Sequence, residues 1–188
     1  NCNYPAFRPS LYQVCLRGWL TMKRAGFAMG SNLGDKNSLI VKARDHLAQM
    51  ALSDDPFLQS SLYATSPLGC PHGSDDYLNA VVEFTWAGTV EELLVHCQGI
   101  ERALGRVRSG IRCEPRTADV DIIYVGGLVI NAPPRLILPQ PRAQLRKFVL
   151  KPLSDIRPDL GLPLQKNTGS RLLAERVTEE TEPLLVAE

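Results

Sequence analysis

Between Lys23 and Val125 the chain alternates two apolar rhythms, and the order in which they come limits what it can fold into. Ala25 to Met29 reads as a strand. Gly30-Ser31-Asn32-Leu33-Gly34-Asp35 follows as a turn whose Asp35 can cap a helix from Lys36 to Met50. That helix carries Leu39, Ile40, Ala43, Leu47 and Met50 at spacings of three and four, a single buried stripe. Pro56 closes it, and Leu58 to Tyr63 reads as a second strand. A long Pro/Gly/Asp-rich loop from Thr65 to Asp76 comes next, of a size that is usually functional in a compact domain. Tyr77 to Trp86 is rich in Val, Phe and Thr and reads as a third strand. Thr89 with Glu92 fits a capping box opening a helix to about Leu104, and Val120 to Val125 supplies another strand.

This βαββαβ order predicts an α+β, ferredoxin-like fold, an antiparallel sheet with helices packed on one face. Gly126-Gly127 is expected to turn Leu128 to Ile130 back beside the preceding strand as a short hairpin, and a short helix is expected around Gln144 to Leu153. With 188 residues and roughly 150 to a domain, one domain carries the function. Its expected bounds are 22–165, with 1–21 an extension outside the native domain, Met22 a candidate start, and 166–188 a solvated tail. From Glu175 onward that tail holds five acids against Arg176.

The 21 Lys plus Arg nearly balance 20 Asp plus Glu, so no whole-surface attraction to nucleic acid or anionic lipid is expected and any basic site is local. Five cysteines without a C-x-x-C pair read as reduced thiols, which places the chain in a cytoplasm. No apolar run approaches the roughly 18 residues of a membrane span.

The sharpest constellation is Arg116-Thr117-Ala118-Asp119-Val120-Asp121-Ile122-Ile123. On a strand, residues i and i+2 share a face about 6.5 to 7 Å apart, so Asp119 and Asp121 point together while Val120 and Ile122 enter the core. Two carboxylates this close repel unless a cation sits between them, and a hard oxygen-seeking ion such as Mg²⁺ suits them. An exposed polar strand face paired with basic residues is the other reading of the same pattern. Arginines 102, 106, 108, 112 and 116 flank the pair on one side and Arg142, Arg146, Lys147 and Lys151 follow on the other. An anion held by arginine and by a carboxylate-bound cation describes a polyphosphate, whose transfer needs positioning and charge stabilisation. A P-loop and a dinucleotide-binding glycine fingerprint are both missing, and His46, His72 and His96 show no ligand spacing. The glycine loop at 30–34 reads as a tight turn before it reads as an anion nest. A nucleic-acid platform would need alternating aromatics on the sheet, which Val81-Val82-Glu83-Phe84 does not supply.

The motifs Gly30–Asp35, Tyr63-Ala64-Thr65-Ser66-Pro67-Leu68-Gly69, Asp76–Ala80, Gly105-Arg106-Val107-Arg108, Pro115–Ile122 and Arg146–Leu150 resemble, in order and spacing, those of 6-hydroxymethyl-7,8-dihydropterin pyrophosphokinases, over about Lys23 to Pro163. The resemblance implies transfer of pyrophosphate from ATP to the hydroxymethyl group of a dihydropterin, releasing AMP, in folate biosynthesis. A monomer with no nucleic-acid or membrane partner is expected. The resemblance also implies two Mg²⁺ ions on Asp119 and Asp121, with Arg106 and Arg116 stabilising the transferred group. Gln98, Glu101, Arg108, Gln140 and Arg146 would bind ATP, and Thr65, Leu68, Tyr77, Asn79 and Phe148 the pterin, Tyr77 and Phe148 stacking on it. By their residue type alone, Tyr77 and Phe148 would equally suit a core. The loop from Arg106 to Pro115 would order over the triphosphate. Two departures stand out: Gln140 occupies a position usually held by His, and Cys113-Glu114 replaces a common aromatic and Gly before Pro-Arg. Restoring His at 140 is expected to tighten ATP, and the Cys113-Glu114 change to weaken binding or alter loop closure. A domain that keeps the fold and binds without turnover is the alternative.

Overall fold

The structure, a computed structural model, describes residues 22–67, 73–107, 114–160 and 185–186. The extension at 1–21, most of the tail, Leu68, Arg108 and most of the proposed lid loop therefore lie outside the described residues. In chain order the elements are β1 (Lys23–Ser31), α1 (Lys36–Ala48), β2 (Leu58–Gln59), β3 (Tyr63–Thr65), β4 (Tyr77–Trp86), α2 (Val90–Ala103), β5 (Asp119–Val125), β6 (Ile130–Ala132), β7 (Leu136–Leu138), a 3₁₀ turn (Ala143–Leu145), α3 (Lys147–Ile156) and β8 (Leu185–Val186). The helices begin where their caps allow. Asp35 accepts from the Ser38 N–H at 3.1 Å, and Gly34 at φ 72° makes the turn before it. Thr89 and Glu92 form the reciprocal box, with bonds of 3.2 and 2.9 Å.

The main sheet runs β5-β1-β4-β3-β8, with β2 also on β4, and every pairing is antiparallel. Alternation along β4 splits its residues between two cores. Leu78, Ala80, Val82 and Phe84 join Ala25, Phe27, Met29, Val120 and Ile122 beneath α1 and α2, where Phe27 stacks on Phe84 at 4.9 Å. Val81 faces the other way with Ile123 and Tyr124, under Val149, Leu150 and Leu153 of α3.

Helices therefore cover both faces of the sheet, not one, because the α3 stripe finds its own apolar patch on the far side. The expected strand at 58–63 is two short ones, since the Ser60 hydroxyl accepts from the Val81 N–H at 3.0 Å and the register moves by one residue across it. The expected hairpin also differs. Gly126 makes its turn, with Leu128 N–H donating to the Val125 carbonyl at 3.0 Å, but β6 pairs with β7 rather than β5. Within the tail, Leu185 and Val186 add an edge strand to β3 instead of lying free of the sheet.

Candidate active site

Across three strands, register aligns Asp119 with Gly30 and Gly30 with Asn79, all on the α3 side of the sheet. Neighbouring strands lie about 4.7 to 4.9 Å apart, which sets Asp119 and Asn79 roughly 10 Å from each other. Gly30 keeps the floor between them low, because a Cβ there would sit 3.1 Å from Asn79 Oδ1. The result is a cleft of about 420 Å³, walled by Thr65, Ser66 and Tyr77 on one side and by Gln140, Arg142, Arg146 and Phe148 on the other.

Asp119 is held between two guanidinium groups. Arg116 Nη1 donates to its Oδ2 at 2.5 Å, and Arg106 Nη1 donates to its Oδ1. Arg106 also donates to Glu101 and, at 3.2 Å, to the Ala118 carbonyl. Burial works against the charge on Asp119, but Arg116 and Arg106 outweigh it and hold its carboxyl below the usual range. Arg116 is itself fixed through its backbone: its N–H donates to Asn32 Oδ1 at 2.8 Å and its carbonyl accepts from Asn32 N–H at 3.1 Å. Its guanidinium lies 5.7 Å from the centre of the Tyr77 ring.

Asp121 has different company. It makes no ion pair among the described residues, and burial together with Asp119 pushes its carboxyl up to about 6. Arg146, 5.4 Å over the Phe148 ring, faces the same cleft, its own pKa lowered by burial and by Arg142. A half-buried carboxylate beside a second one, in no ion pair among the described residues and open to a cleft, is a fitting seat for a hard cation. No cluster of three or more His, Cys, Asp or Glu donors forms among the described residues, so the rest of such an ion's coordination falls to substrate and water. Cys97 supplies no nucleophile, because burial, then Glu101 and Asp121, push its thiol up to about 12.

Asn79, 5% exposed, donates from Nδ2 to Thr65 Oγ1 at 2.8 Å. That bond orients the amide and leaves Oδ1 over Gly30. Gln140 uses its Oε1 to accept from the N–H groups of Arg142 and Ala143, at 2.6 and 2.9 Å, capping the 3₁₀ turn.

Ten of the residues singled out in the sequence thus line one cleft: Thr65, Tyr77, Asn79, Arg106, Arg116, Asp119, Asp121, Gln140, Arg146 and Phe148. Gln98 and Glu101 line a second hollow with Arg102, on the other side of Arg106. There Glu101 is buried and also accepts from the Val120 N–H at 3.1 Å, bracing α2 against β5. Lys151, part of the second basic run, turns away to Asp155 at 2.8 Å. Sequence reasoning passed over Ser66, the Asn32 brace and Gly30 as floor. One signal was present: Gly26, Ala28 and Gly30 fall on one face of a strand whose other face holds Phe27 and Met29, the mark of a surface something approaches closely.

A family model described as 7,8-dihydro-6-hydroxymethylpterin-pyrophosphokinase (HPPK) matches residues 26–158. A 2-amino-4-hydroxy-6-hydroxymethyldihydropteridine pyrophosphokinase from Methylorubrum extorquens is 40% identical over 139 residues, covering 74% of this chain and 85% of that protein. A protein of the same name from Bacillus subtilis is 39% identical over 132 residues, 70% of this chain and 77% of its own. The folic acid synthesis protein fol1 of Pneumocystis carinii is 35% identical over 84% of this chain, which spans 21% of that longer protein. Among solved structures, an HPPK-DHPS in complex with substrates superposes with a TM-score of 0.58 at 11% identity, over 85% of this chain and 43% of that one. Wild-type Plasmodium falciparum HPPK-DHPS with SDX-DHP gives 0.60 at 13%, over 90% and 46%. These two share the fold, an antiparallel sheet with three helices; the match at 26–158 and the identities of 40% and 39% carry the family, and the chain belongs to the 7,8-dihydro-6-hydroxymethylpterin-pyrophosphokinase (HPPK) family.

Proposed function

We propose that the cleft transfers pyrophosphate from ATP to the hydroxymethyl oxygen of 6-hydroxymethyl-7,8-dihydropterin, giving the pterin diphosphate and AMP. The observation that carries this reading is the row Asp119–Gly30–Asn79, with carboxylates at one end, an oriented amide at the other and a glycine floor between. A flat polar heterocycle fits the Asn79 end, its edge met by Asn79 and Thr65 and its faces by Tyr77 and Phe148. Its hydroxymethyl arm then reaches toward the two aspartates. Two Mg²⁺ ions held by Asp119 and Asp121 would neutralise the triphosphate and polarise the phosphoryl group under attack. Arg106 and Arg116 already lie on Asp119, within reach of a charge that develops beside it. Arg146 and Gln140 would meet the phosphates from the α3 side, Arg108 would join them, and Leu68 would complete the pterin edge. Gln98 and Glu101 in the neighbouring hollow would take the nucleoside portion. In the transfer the substrate oxygen forms a bond to the β-phosphorus, the bond from that phosphorus to the α–β bridging oxygen breaks, and AMP leaves while the hydroxyl proton passes to solvent.

We read the domain as ferredoxin-like, from its split βαβ strand order, and the enzyme as a cytoplasmic monomer. Mixing the protein with ATP, Mg²⁺ and the hydroxymethyl-dihydropterin should yield AMP in equal amount to the pterin diphosphate. ADP with a monophosphorylated pterin would overturn the assignment. Nucleotide and pterin binding without any product would favour the non-catalytic reading.

A further inference from the structure

Glu83, an acidic residue, is 0% exposed, and it lies on the α3 side of β4, four residues beyond Asn79. Three donors converge on it. Arg24 Nε reaches Oε1 at 2.5 Å, Arg157 Nη1 reaches both carboxylate oxygens at 2.8 and 3.0 Å, and the Tyr124 hydroxyl donates to Oε2. The backbone is shaped to allow this. The register between β1 and β5 shifts at Gly26/Phe27, so Ile123 and Tyr124 both turn to the α3 face although they are adjacent in sequence. Gly26 then leaves the space the Tyr124 ring needs, since a Cβ there would stand 2.5 Å from it.

Buried ion pairs are weak contributors to stability and are often replaceable by apolar groups, so stability alone is a poor account of three donors collected around one acid. What distinguishes the partners is where they come from. Arg24 and Tyr124 belong to the sheet, whereas Arg157 is the C-cap of α3. At its other end α3 carries Phe148 and Val149, which wall the cleft. We infer that Glu83 and Arg157 form a positioning pair that sets the tilt of α3 on the sheet and thereby the gap between Phe148 and the Asn79–Thr65 edge. Arg157 and Phe148 are separated by about 13 Å of helix, at 1.5 Å per residue, so a tilt of roughly 4 to 5° about the anchored end moves Phe148 by about 1 Å. A displacement of that size is enough to cost a bound ring its stacking partner. A second tie, Tyr63 Oη to Asp155 at 2.5 Å, restrains the same helix from β3.

The inference rests on the pterin reading above, and the two fail differently. The test is Arg157→Met, which keeps the stem and leaves Glu83 paired with Arg24, assayed well below its own Tm by titrating 6-hydroxymethyl-7,8-dihydropterin into the enzyme saturated with Mg²⁺ and a non-hydrolysable ATP analogue. The dissociation constant of the pterin should rise about tenfold, with Arg157→Lys recovering most of the loss. Tyr124→Phe, which removes a sheet-side donor only, should lower Tm and leave the pterin constant unchanged. Should Arg157→Met fail to fold, Tyr63→Phe cuts the second tie without altering any charge and should raise the constant about threefold. A wild-type enzyme that binds no pterin overturns the substrate assignment. Wild-type binding equalled by Arg157→Met, or by Tyr63→Phe if that is the variant that folds, overturns the positioning role and leaves the pair a structural one.

Discussion

Asp119 and Asp121 sit two residues apart on one strand face and play unequal parts. Asp119 balances Arg106 and Arg116, so its removal takes a carboxylate from two half-buried guanidinium groups and leaves Arg106 to Glu101 alone. Asp121 makes no ion pair among the described residues and is crowded by Asp119, so Asp121→Asn should retain or raise Tm while lowering turnover at least about 100-fold. Thermal melting alongside a steady-state assay would show it, and a variant with near-normal turnover would remove Asp121 from the reaction. The shared face of the two acids was readable from alternation alone, and Arg116–Asp119 is a local pair. The contact from Arg106 was not readable, because it depends on where the end of α2 docks against β5. Gln140 alters an expectation. Its Oε1 accepts two backbone N–H groups, so a protonated imidazole at this position, which only donates, would leave that turn uncapped. Gln140→His should therefore fail to tighten ATP at pH 6, and Gln140→Ala should cost about 1 kcal/mol through the lost cap. Titration of an ATP analogue into both variants, with melting curves, separates the two roles.

At the scale of elements, those with chemical punctuation were legible. Tyr77–Trp86 was bounded by its turn residues, and α2 announced itself through Thr89 and Glu92. Thr89→Ala should lower stability by about 1 kcal/mol and Tm by about 2 to 4 °C, with kcat unchanged, because the cap lies at the helix end remote from Glu101 and Arg106. Calorimetry and an activity assay on the same sample would check both halves. What could not be read was pairing between segments. Ser60 splits its strand by putting a hydroxyl where a backbone acceptor would be, which periodicity does not register. The return after Gly126-Gly127 misses β5 because Gln140 N–H occupies the Ile123 carbonyl at 2.8 Å, while β6 finds its partner in Leu136–Leu138. The short helix near 144–153 was legible as a helix, but not the face of the sheet it covers, since amphipathicity names a buried side without saying against what.

For the molecule as a whole, the sheet is a partition with support on one side and chemistry on the other. Phe84→Ala removes a fully buried ring from the stack with Phe27 and should cost about 3 to 5 kcal/mol, while the folded fraction binds pterin and ATP normally. Asn79→Ala should leave Tm nearly unchanged and weaken pterin binding at least about tenfold, because it deletes the oriented amide. Measuring melting and binding on the two variants side by side tests the partition, and a coupled loss in both would refute it. The two residues are five apart on one strand, and between them the faces alternate: Leu78, Ala80, Val82 and Phe84 on one, Asn79, Val81 and Glu83 on the other. Two kinds of inherited defect should therefore interleave along β4. Changes at the even-numbered positions would reduce how many working copies a cell holds, and cooler growth or stronger expression would restore the pathway. Changes at Asn79 would leave the copy number intact and make each copy poor, a defect that neither remedy repairs.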